Sequence, residues 1–331
     1  PSLLFFSSSF FFFLSPKKNN NNNIKVFEMN NCSVAGFPLY PDPTACAAPG
    51  AWRGAYQQAS LARVRAAHPD WRNASAVWAQ ARAEFEAGAL AFFVETVRLG
   101  KQLRPNATWG VYMVPYKVHG PCVAGSAPGA WRCGFDHPTF GPLIGGLYAR
   151  TLAPLWREVD AIFPSIYLSA NVSAGLQRAF VASNVGQAAA LAAAFRRVDP
   201  TTQRFRPLVL PFGELYYHGM FGPVAAPPAP PPPCGADLLS SADATLQLQG
   251  ALAAGADGVV LWSGGSLPYQ HNATCRAQLL AWLNATLFPA VRRVRADASA
   301  CGAARCHGHG LCVNATACRC TGPLFHPPLC A

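Results

Sequence analysis

The sequence predicts an α/β fold, in which an incomplete β/α barrel is followed by a small disulfide-rich module. Three observations predict it. Short apolar runs alternate along the chain with Ala-rich stretches of helical character, the arrangement of a parallel sheet flanked by helices. The runs are nearly continuous in apolar residues and bounded by Gly or Pro, as expected of strands buried on both faces. Six of the twelve cysteines crowd into the segment from Cys301 to Cys330.

The elements follow in order. Residues 1–16 (PSLLFFSSSFFFFLSP) have the apolar character of a signal-peptide core, without an initiator Met or a basic lead. Residues 17–25 are a polar low-complexity tract, and 26–50 show no periodicity. Residues 1–50 are therefore expected to lie outside the folded domain. A helix is predicted over 53–67 and a long one over 75–103, where Val77, Ala81, Phe85, Ala89, Phe92, Thr96, Leu99 and Leu103 recur at spacings of three or four. Ser75 is placed to cap the long helix, and Pro105 lies just past its end.

Four strand-like runs come next: 108–115 (TWGVYMVP), 161–168 (AIFPSIYL), 207–213 (PLVLPFG) and 258–264 (GVVLWSG). Helices are predicted over 142–157, 173–197, 240–255 and 275–289, and the proline-rich run 227–233 makes a stiff loop after the third strand. Four strands do not close the usual eight-stranded barrel. Either the sheet is open, or some barrel strands are missing from this chain. Missing strands would leave unpaired edges and a tendency to aggregate. The expected domains are residues 51–298 for the β/α part and 299–331 for the cysteine-rich part.

Of the 331 residues, 51% are hydrophobic and 12% charged, which supplies a sizeable core and excludes wholesale disorder. The net charge of +11 suits a polyanion. Charge alone does not choose among nucleic acid, anionic lipid and acidic polysaccharide, and a basic surface kept for solubility is the alternative. The twelve cysteines imply an oxidising compartment. Sequons at Asn31, Asn73, Asn106, Asn171, Asn272, Asn284 and Asn314 point the same way, to a secreted or lysosomal glycoprotein. No segment beyond the first few residues is long and apolar enough to span a bilayer.

The spacing Cys301-x4-Cys306-x5-Cys312-x5-Cys318-x-Cys320-x9-Cys330 resembles an EGF-like module, in which so small a core needs covalent staples. That resemblance implies pairs 301–312, 306–318 and 320–330; the count alone permits fifteen pairings. Zinc held by Cys with His307 or His309 is the rival reading. Cys122 and Cys133 are expected to close a loop, while Cys32, Cys46, Cys234 and Cys275 have no assigned partners.

In a β/α barrel the site lies at the C-terminal ends of the strands. Tyr112, Tyr167 and Trp262 fall toward that end, and Glu214 directly follows the third strand. Aromatic rings around one mouth make a surface for stacking sugars, because pyranose C–H faces pack on them while phenols hydrogen-bond. The bland alternative is that the rings only fill the barrel.

The segments WGVYMVP (109–115), FPSIYL (163–168) and GADGVVLWSG (255–264) resemble strands of the hyaluronidase family, glycoside hydrolase family 56. AAHPDW (66–71), AEFEAGA (83–89) and ETVRLGKQLRP (95–105) resemble its preceding helices, so the likeness covers about residues 52–331. It implies a TIM-like (β/α) barrel that cleaves β-1,4 N-acetylglucosaminide bonds of hyaluronan, and of chondroitin, with retention. The substrate's N-acetyl carbonyl would be the nucleophile, one glutamic acid the proton donor, and no cofactor is needed. Tyr112, Tyr167 and Trp262 match positions that line the cleft and hold the acetamido group. Hyaluronan or a related anionic glycosaminoglycan is the implied partner, with no nucleic acid.

Three departures stand out. The family's Asp-x-Glu acid motif does not occur in this sequence. Glu84 with Glu86 lie within the long helix, and Glu158 with Asp160 precede the second strand at its wrong end. Tyr116 stands where the family has an aspartate, and Glu214 where it has an arginine. Glycosidic cleavage requires a protonated carboxyl for the leaving alcohol. Glu214 is the weak candidate. The alternative readings are a catalytically inactive glycosaminoglycan-binding glycoprotein, or a lectin for neutral chito-oligosaccharides.

Overall fold

The structure is a computed structural model that describes residues 52–112, 122–124, 131–133, 136, 138, 140–170, 172–195, 207–217, 234–235, 237–262, 272–306, 310–312 and 318–320. Residues 1–50, Tyr116, the proline-rich run 227–233, the sequons at Asn31, Asn171 and Asn314, Cys32, Cys46, His307, His309 and Cys330 lie outside the described residues. The chain divides into two compact units that meet in sequence at Trp109 and Gly110.

The first unit contains two helices, Trp52–Ala67 and Ala74–Leu103. They form a hairpin in which Leu61 and Val64 bury against Val77 and Ala81. An Arg63–Glu84 ion pair of 2.8 Å ties the two helices on the outside. The cap of the long helix is Asn73 rather than Ser75: the Asn73 carbonyl oxygen accepts from the Ser75 and Ala76 backbone N–H groups. An Asn side chain reaches the orphan donors of the first turn as well as Ser does, and here it lies two residues earlier. The buried stripe also differs from the predicted one. Phe93, Val94, Val97 and Gly100 are buried, whereas Phe92, Leu99 and Leu103 are 42%, 54% and 61% exposed. The reason is Trp109, whose ring lies flat on Gly100 where any Cβ would overlap it. That contact fixes which face of an apolar helix turns inward.

The second unit is built on parallel strand pairing. Tyr112 bridges Phe163, Ala161–Ile162 pairs with Leu208–Val209, and Phe212–Glu214 pairs with Val260–Trp262. A bridge from Ser165 to Phe212 joins the middle runs. The four sequence runs thus lie side by side in chain order. Backbone bonds from Leu210 to Ile162, from Phe212 to Pro164 and from Val260 to Pro211, each 2.8–3.0 Å, continue the ladder past the prolines. Proline is tolerated here because its carbonyl still accepts. Helices pack on the outward side chains: Ile162, Ile166, Val209, Val181, Val185 and Ala188 are all fully buried. Each such aliphatic side chain contributes roughly 1.5–3 kcal/mol by leaving water.

The helices of this unit start where their caps place them. Ser173 opens Ala174–Ala194 and Ser240 opens Ser241–Ala253, each hydroxyl accepting a first-turn N–H. The helix predicted over 142–157 is two, Phe140–Thr151 and Ala153–Trp156, because Pro154 fits only a first turn. The last helix, expected to end at 289, continues instead as Phe288–Arg305, through Cys301. A π turn over Leu283–Leu287 makes this possible: Phe288 N–H bonds to the carbonyl of Leu283, five residues back. The widened turn accommodates the ring of Pro289, which a regular α-helix would press against the preceding turn. Two antiparallel pairs complete the description, Cys122–Ala124 with Trp131–Cys133 and Gly310–Cys312 with Cys318–Cys320. No helix among the described residues is long and apolar enough to cross a membrane.

Candidate functional site

Strand alternation decides which side chains share a face. Side chains at every second position point the same way, and residues opposite each other in register do so too. The Tyr112–Phe163, Ser165–Phe212 and Glu214–Trp262 pairings therefore put Tyr112, Phe163, Ser165, Tyr167, Phe212, Glu214, Tyr216 and Trp262 on one face of the sheet. The Ser165–Phe212 register sets Tyr167 level with Glu214, two residues on in each strand. Glu214 lies between Tyr167 on one side and Trp262 on the other. The opposite face at Gly213 is filled by Gln247, which leaves no room for a Cβ and anchors itself by an N–H to the Ile166 carbonyl at 3.3 Å.

The aromatic rings meet. Tyr112 and Tyr167 have ring centroids 6.3 Å apart at a 36° tilt, and Tyr112 contacts Phe212 edge-on at 4.8 Å. Phe163 meets Phe212 edge-on at 5.7 Å. Tyr167, Glu214 and Tyr216 are buried, Tyr112 is partly buried, and Trp262 at 37% exposure stands at the open end of its strand. Burial pushes the Tyr112 phenol up to about 12, with the Glu214 charge adding to the effect and the neighbouring Tyr167 hydroxyl opposing it. Tyr167 is raised further, first by burial and then by Tyr112, Glu214 and Tyr216. Both phenols keep their protons at any physiological pH. Each can donate one hydrogen bond and accept another, which suits an uncharged amide or hydroxyl.

A second layer fixes Tyr216. The residue bridges Leu238 in an antiparallel contact, flanked by bonds from Tyr217 N–H to the Asp237 carbonyl and from Leu239 N–H to the Leu215 carbonyl. The returning segment is held by the Cys234–Cys275 disulfide and by Trp282, whose indole N–H reaches the Leu239 carbonyl at 2.8 Å. Tyr217 hydrogen-bonds to Asp243, and Asp243 also accepts from Ser240 at 2.8 Å. Tyr216 and the 234–275 pairing were not predicted. The run of apolar residues 207–213 gave no sign that the useful face extended past its end, and only the spatial return of residues 237–239 reveals both.

The other acidic candidates sit elsewhere. Glu84 is bound by Gln80 and Arg63, which hold its carboxyl below the usual carboxylate range; a proton donor needs the reverse. Glu86 pairs with Arg82 at 3.0 Å one helical turn away. Glu158 and Asp160 precede Ala161 at the N-terminal end of its strand, and the Asp160 backbone carbonyl is spent on Leu208 N–H. Among the described sequons, Asn73, Asn106, Asn272 and Asn284 are all exposed. Cys122 lies opposite Cys133, and Cys312 opposite Cys318, in strand register. Cys306 is disulfide-bonded.

The hyaluronidase family model matches residues 50–321. Hyaluronidase-1 of Homo sapiens is 31% identical over 271 residues, covering 79% of this chain and 52% of that protein. Hyaluronidase-3 of Sus scrofa is 32% identical over 273 residues, covering 80% and 55%. Among solved structures, bee venom hyaluronidase superimposes with a TM-score of 0.52 at 26% identity, over 73% of this chain and 65% of that one. The same enzyme in complex with a hyaluronic acid tetramer gives 0.55 at 24% identity, over 74% and 64%, and that likeness speaks to the fold. The chain spans about half the length of the curated relatives it matches.

Proposed function

The chain belongs to the hyaluronidase family, and from that premise we propose that its tyrosine-lined face is the sugar cleft of a hyaluronan-degrading endo-β-N-acetylhexosaminidase. The observation that carries the reading is the meeting of Tyr112 and Tyr167, rings 6.3 Å apart, on the face that Trp262 also shares. In this reading Tyr112 and Tyr167, protonated, hold the acetamido group so that its carbonyl oxygen faces the anomeric carbon. Trp262 offers its exposed ring to a neighbouring pyranose. The bond between anomeric carbon and leaving oxygen breaks as the acetamide oxygen bonds to carbon. A carboxylic acid gives its proton to the leaving oxygen, and water then opens the cyclic intermediate with retention.

A second reading is favoured by one observation, that Asp-x-Glu occurs nowhere in the 331 residues. On it the face binds a glycosaminoglycan without cleaving it. Glu214 is not assigned the donor role: it is 5% exposed, between Tyr167 and Trp262 in strand register. Incubation of the purified chain with hyaluronan separates the two. Shortening of the polymer on a sizing gel at mildly acidic pH supports hydrolysis; retardation at unchanged length supports binding alone. Neither effect, from a folded sample, removes the cleft.

The four parallel strands are read as part of a TIM-like (β/α) barrel spanning residues 51–298, and the cysteine-rich segment 299–331 as an EGF-like module. Support for the module comes from the cysteine spacing and from the Gly310–Cys312 and Cys318–Cys320 hairpin. A secretory-pathway glycoprotein, extracellular or lysosomal, fits the Cys234–Cys275 disulfide and the exposed sequons. Treatment of protein from a secreting eukaryotic host with a peptide N-glycosidase should lower its mass by several glycans, and Asn272→Gln should remove one of them.

A further inference from the structure

The start of the long helix carries a groove that the cleft chemistry does not use. Ser75, Trp78, Ala79, Arg82, Ala83 and Glu86 line an open hollow of about 620 Å³ on the surface of Ala74–Leu103. Small-molecule sites of about 300–1,000 Å³ hold a ligand of a few rings. Trp78 is 36% exposed, and the small side chains of Ser75, Ala79 and Ala83 make the hollow beside it. The Arg82–Glu86 ion pair of 3.0 Å supplies N–H donors and carboxylate oxygens at the far end. An indole next to such a pair suits a pyranose, whose C–H face packs on the ring while its hydroxyls reach the polar groups.

The groove begins at a glycosylation sequon, Asn73-Ala74-Ser75, exposed at both Asn73 and Ser75. Asn73 Oδ1 accepts from the Ser75 N–H at 2.9 Å and from the Ala76 N–H at 3.3 Å. Those bonds occupy the carbonyl arm of the amide and leave Nδ2, the atom that bears an N-glycan, on the other arm. Trp78 lies five residues on, about 7.5 Å along the axis, and helical side chains lean back toward the N-terminus. A sugar chain leaving Asn73 therefore meets the groove within its first residues.

Resting on the secretory-glycoprotein reading above, we propose that Asn73 carries an N-glycan whose first sugars lie in this groove, stacked on Trp78 and hydrogen-bonded to Arg82 and Glu86. In the linking step Nδ2 bonds to the anomeric carbon of an N-acetylglucosamine. The bond from that carbon to a lipid-linked diphosphate donor breaks, and the diphosphate leaves with the electron pair and takes up the proton that Nδ2 loses. The amide keeps its carbonyl oxygen, so the helix cap survives the modification. The glycan is thus laid along the helix instead of standing free in solution, and it keeps water off an exposed indole.

The test uses the full chain from a secreting eukaryotic host and removes the glycan in two ways. Ser75→Ala ends the sequon and keeps the cap, because the Asn73 bonds run to backbone N–H groups. A peptide N-glycosidase acting on the folded wild type leaves an aspartate at position 73, an equally good cap, and does not depend on the variant folding. Glycopeptide mass spectrometry reads occupancy. Hydroxyl-radical footprinting reads the accessibility of Trp78, with Trp262 at 37% exposure as the internal reference. The expected result is a glycan at Asn73 and a rise in Trp78 oxidation of roughly threefold on either treatment, with Trp262 unchanged, as when a sugar covers the open face of an indole. No rise at Trp78, or an equal rise at both tryptophans in Ser75→Ala, overturns the groove as the seat of the glycan. Asn73 bare while Asn272 is glycosylated overturns this inference and leaves the secretory reading standing. A folded chain with every sequon bare brings both down.

Discussion

The two central phenols carry consequences that can be measured one residue at a time. Tyr112→Phe and Tyr167→Phe keep the rings and remove the hydroxyls, so each should weaken hyaluronan-fragment binding by roughly tenfold, the worth of a lost hydrogen bond. Calorimetric titration checks this, and a variant that binds like the wild type would take that hydroxyl out of the cleft. The same residues give a pH dependence with a defined sign. Tyr112 in the folded chain titrates at about 12 against 10.0 for an ordinary tyrosine. Its raised value means that folding favours the protonated phenol. That stability is fully present below pH 10 and is lost as pH rises toward 12, by up to about 3 kcal/mol. Tyrosinate absorbance should show the late-titrating phenols ionising together with alkaline unfolding, and Tyr112→Phe should shift that unfolding to higher pH. Tyr112, Tyr167 and Trp262 were singled out in the sequence by their place toward the C-terminal ends of the apolar runs and by the likeness to the hyaluronidase family. Tyr216 was not, since its place depends on a bridge to Leu238 that no local pattern announces.

Among the elements, the return after the third strand is the most informative. The Cys234–Cys275 bond joins residues 41 apart in sequence, and a loop of that size removes enough unfolded-state entropy to stabilise the fold by about 4 kcal/mol. The double variant Cys234→Ala, Cys275→Ala should therefore melt well below the wild type, with sugar affinity reduced wherever Tyr216 is no longer held. Gly213→Ala tests the other side of the same strand. Its methyl group would overlap Gln247, and overpacking of this kind costs roughly 1–3 kcal/mol in denaturant titrations. The helices at Trp52–Ala67, Ala74–Leu103, Ala174–Ala194 and Ser241–Ala253 were read from periodicity within a few residues, although the predicted cap Ser75 gave way to Asn73. What escaped was the passage through Pro289, because a proline ordinarily ends a helix and only the π turn before it relieves the clash. The phase of the long helix escaped too. Residues 92–94 are all apolar, and the choice among them is made by Trp109, outside the helix.

For the whole molecule, the net charge of +11 predicts that binding of long hyaluronan weakens as salt rises, whereas binding of a neutral chito-oligosaccharide stays nearly constant. Titrations across a salt series check both at once. That the strands are parallel was legible in the sequence from their alternation with helices, whereas their order and pairing come from the bridges between them. The division of the chain at Trp109 was not legible, since the helix-rich and strand-rich parts are both apolar and no linker composition separates them. The bridge from Tyr216 to Leu238 and the disulfide at Cys234 also bear on how this protein tolerates change. Together they staple shut the stretch between Tyr217 and Cys234 from both ends, so its length is nearly decoupled from the geometry it departs from and rejoins. Lengthening or trimming the proline run costs only a slowly growing closure entropy. Evolution is thereby left a pair of fixed ends, at Tyr216 and Cys234, between which segments can be exchanged at little cost to the strands.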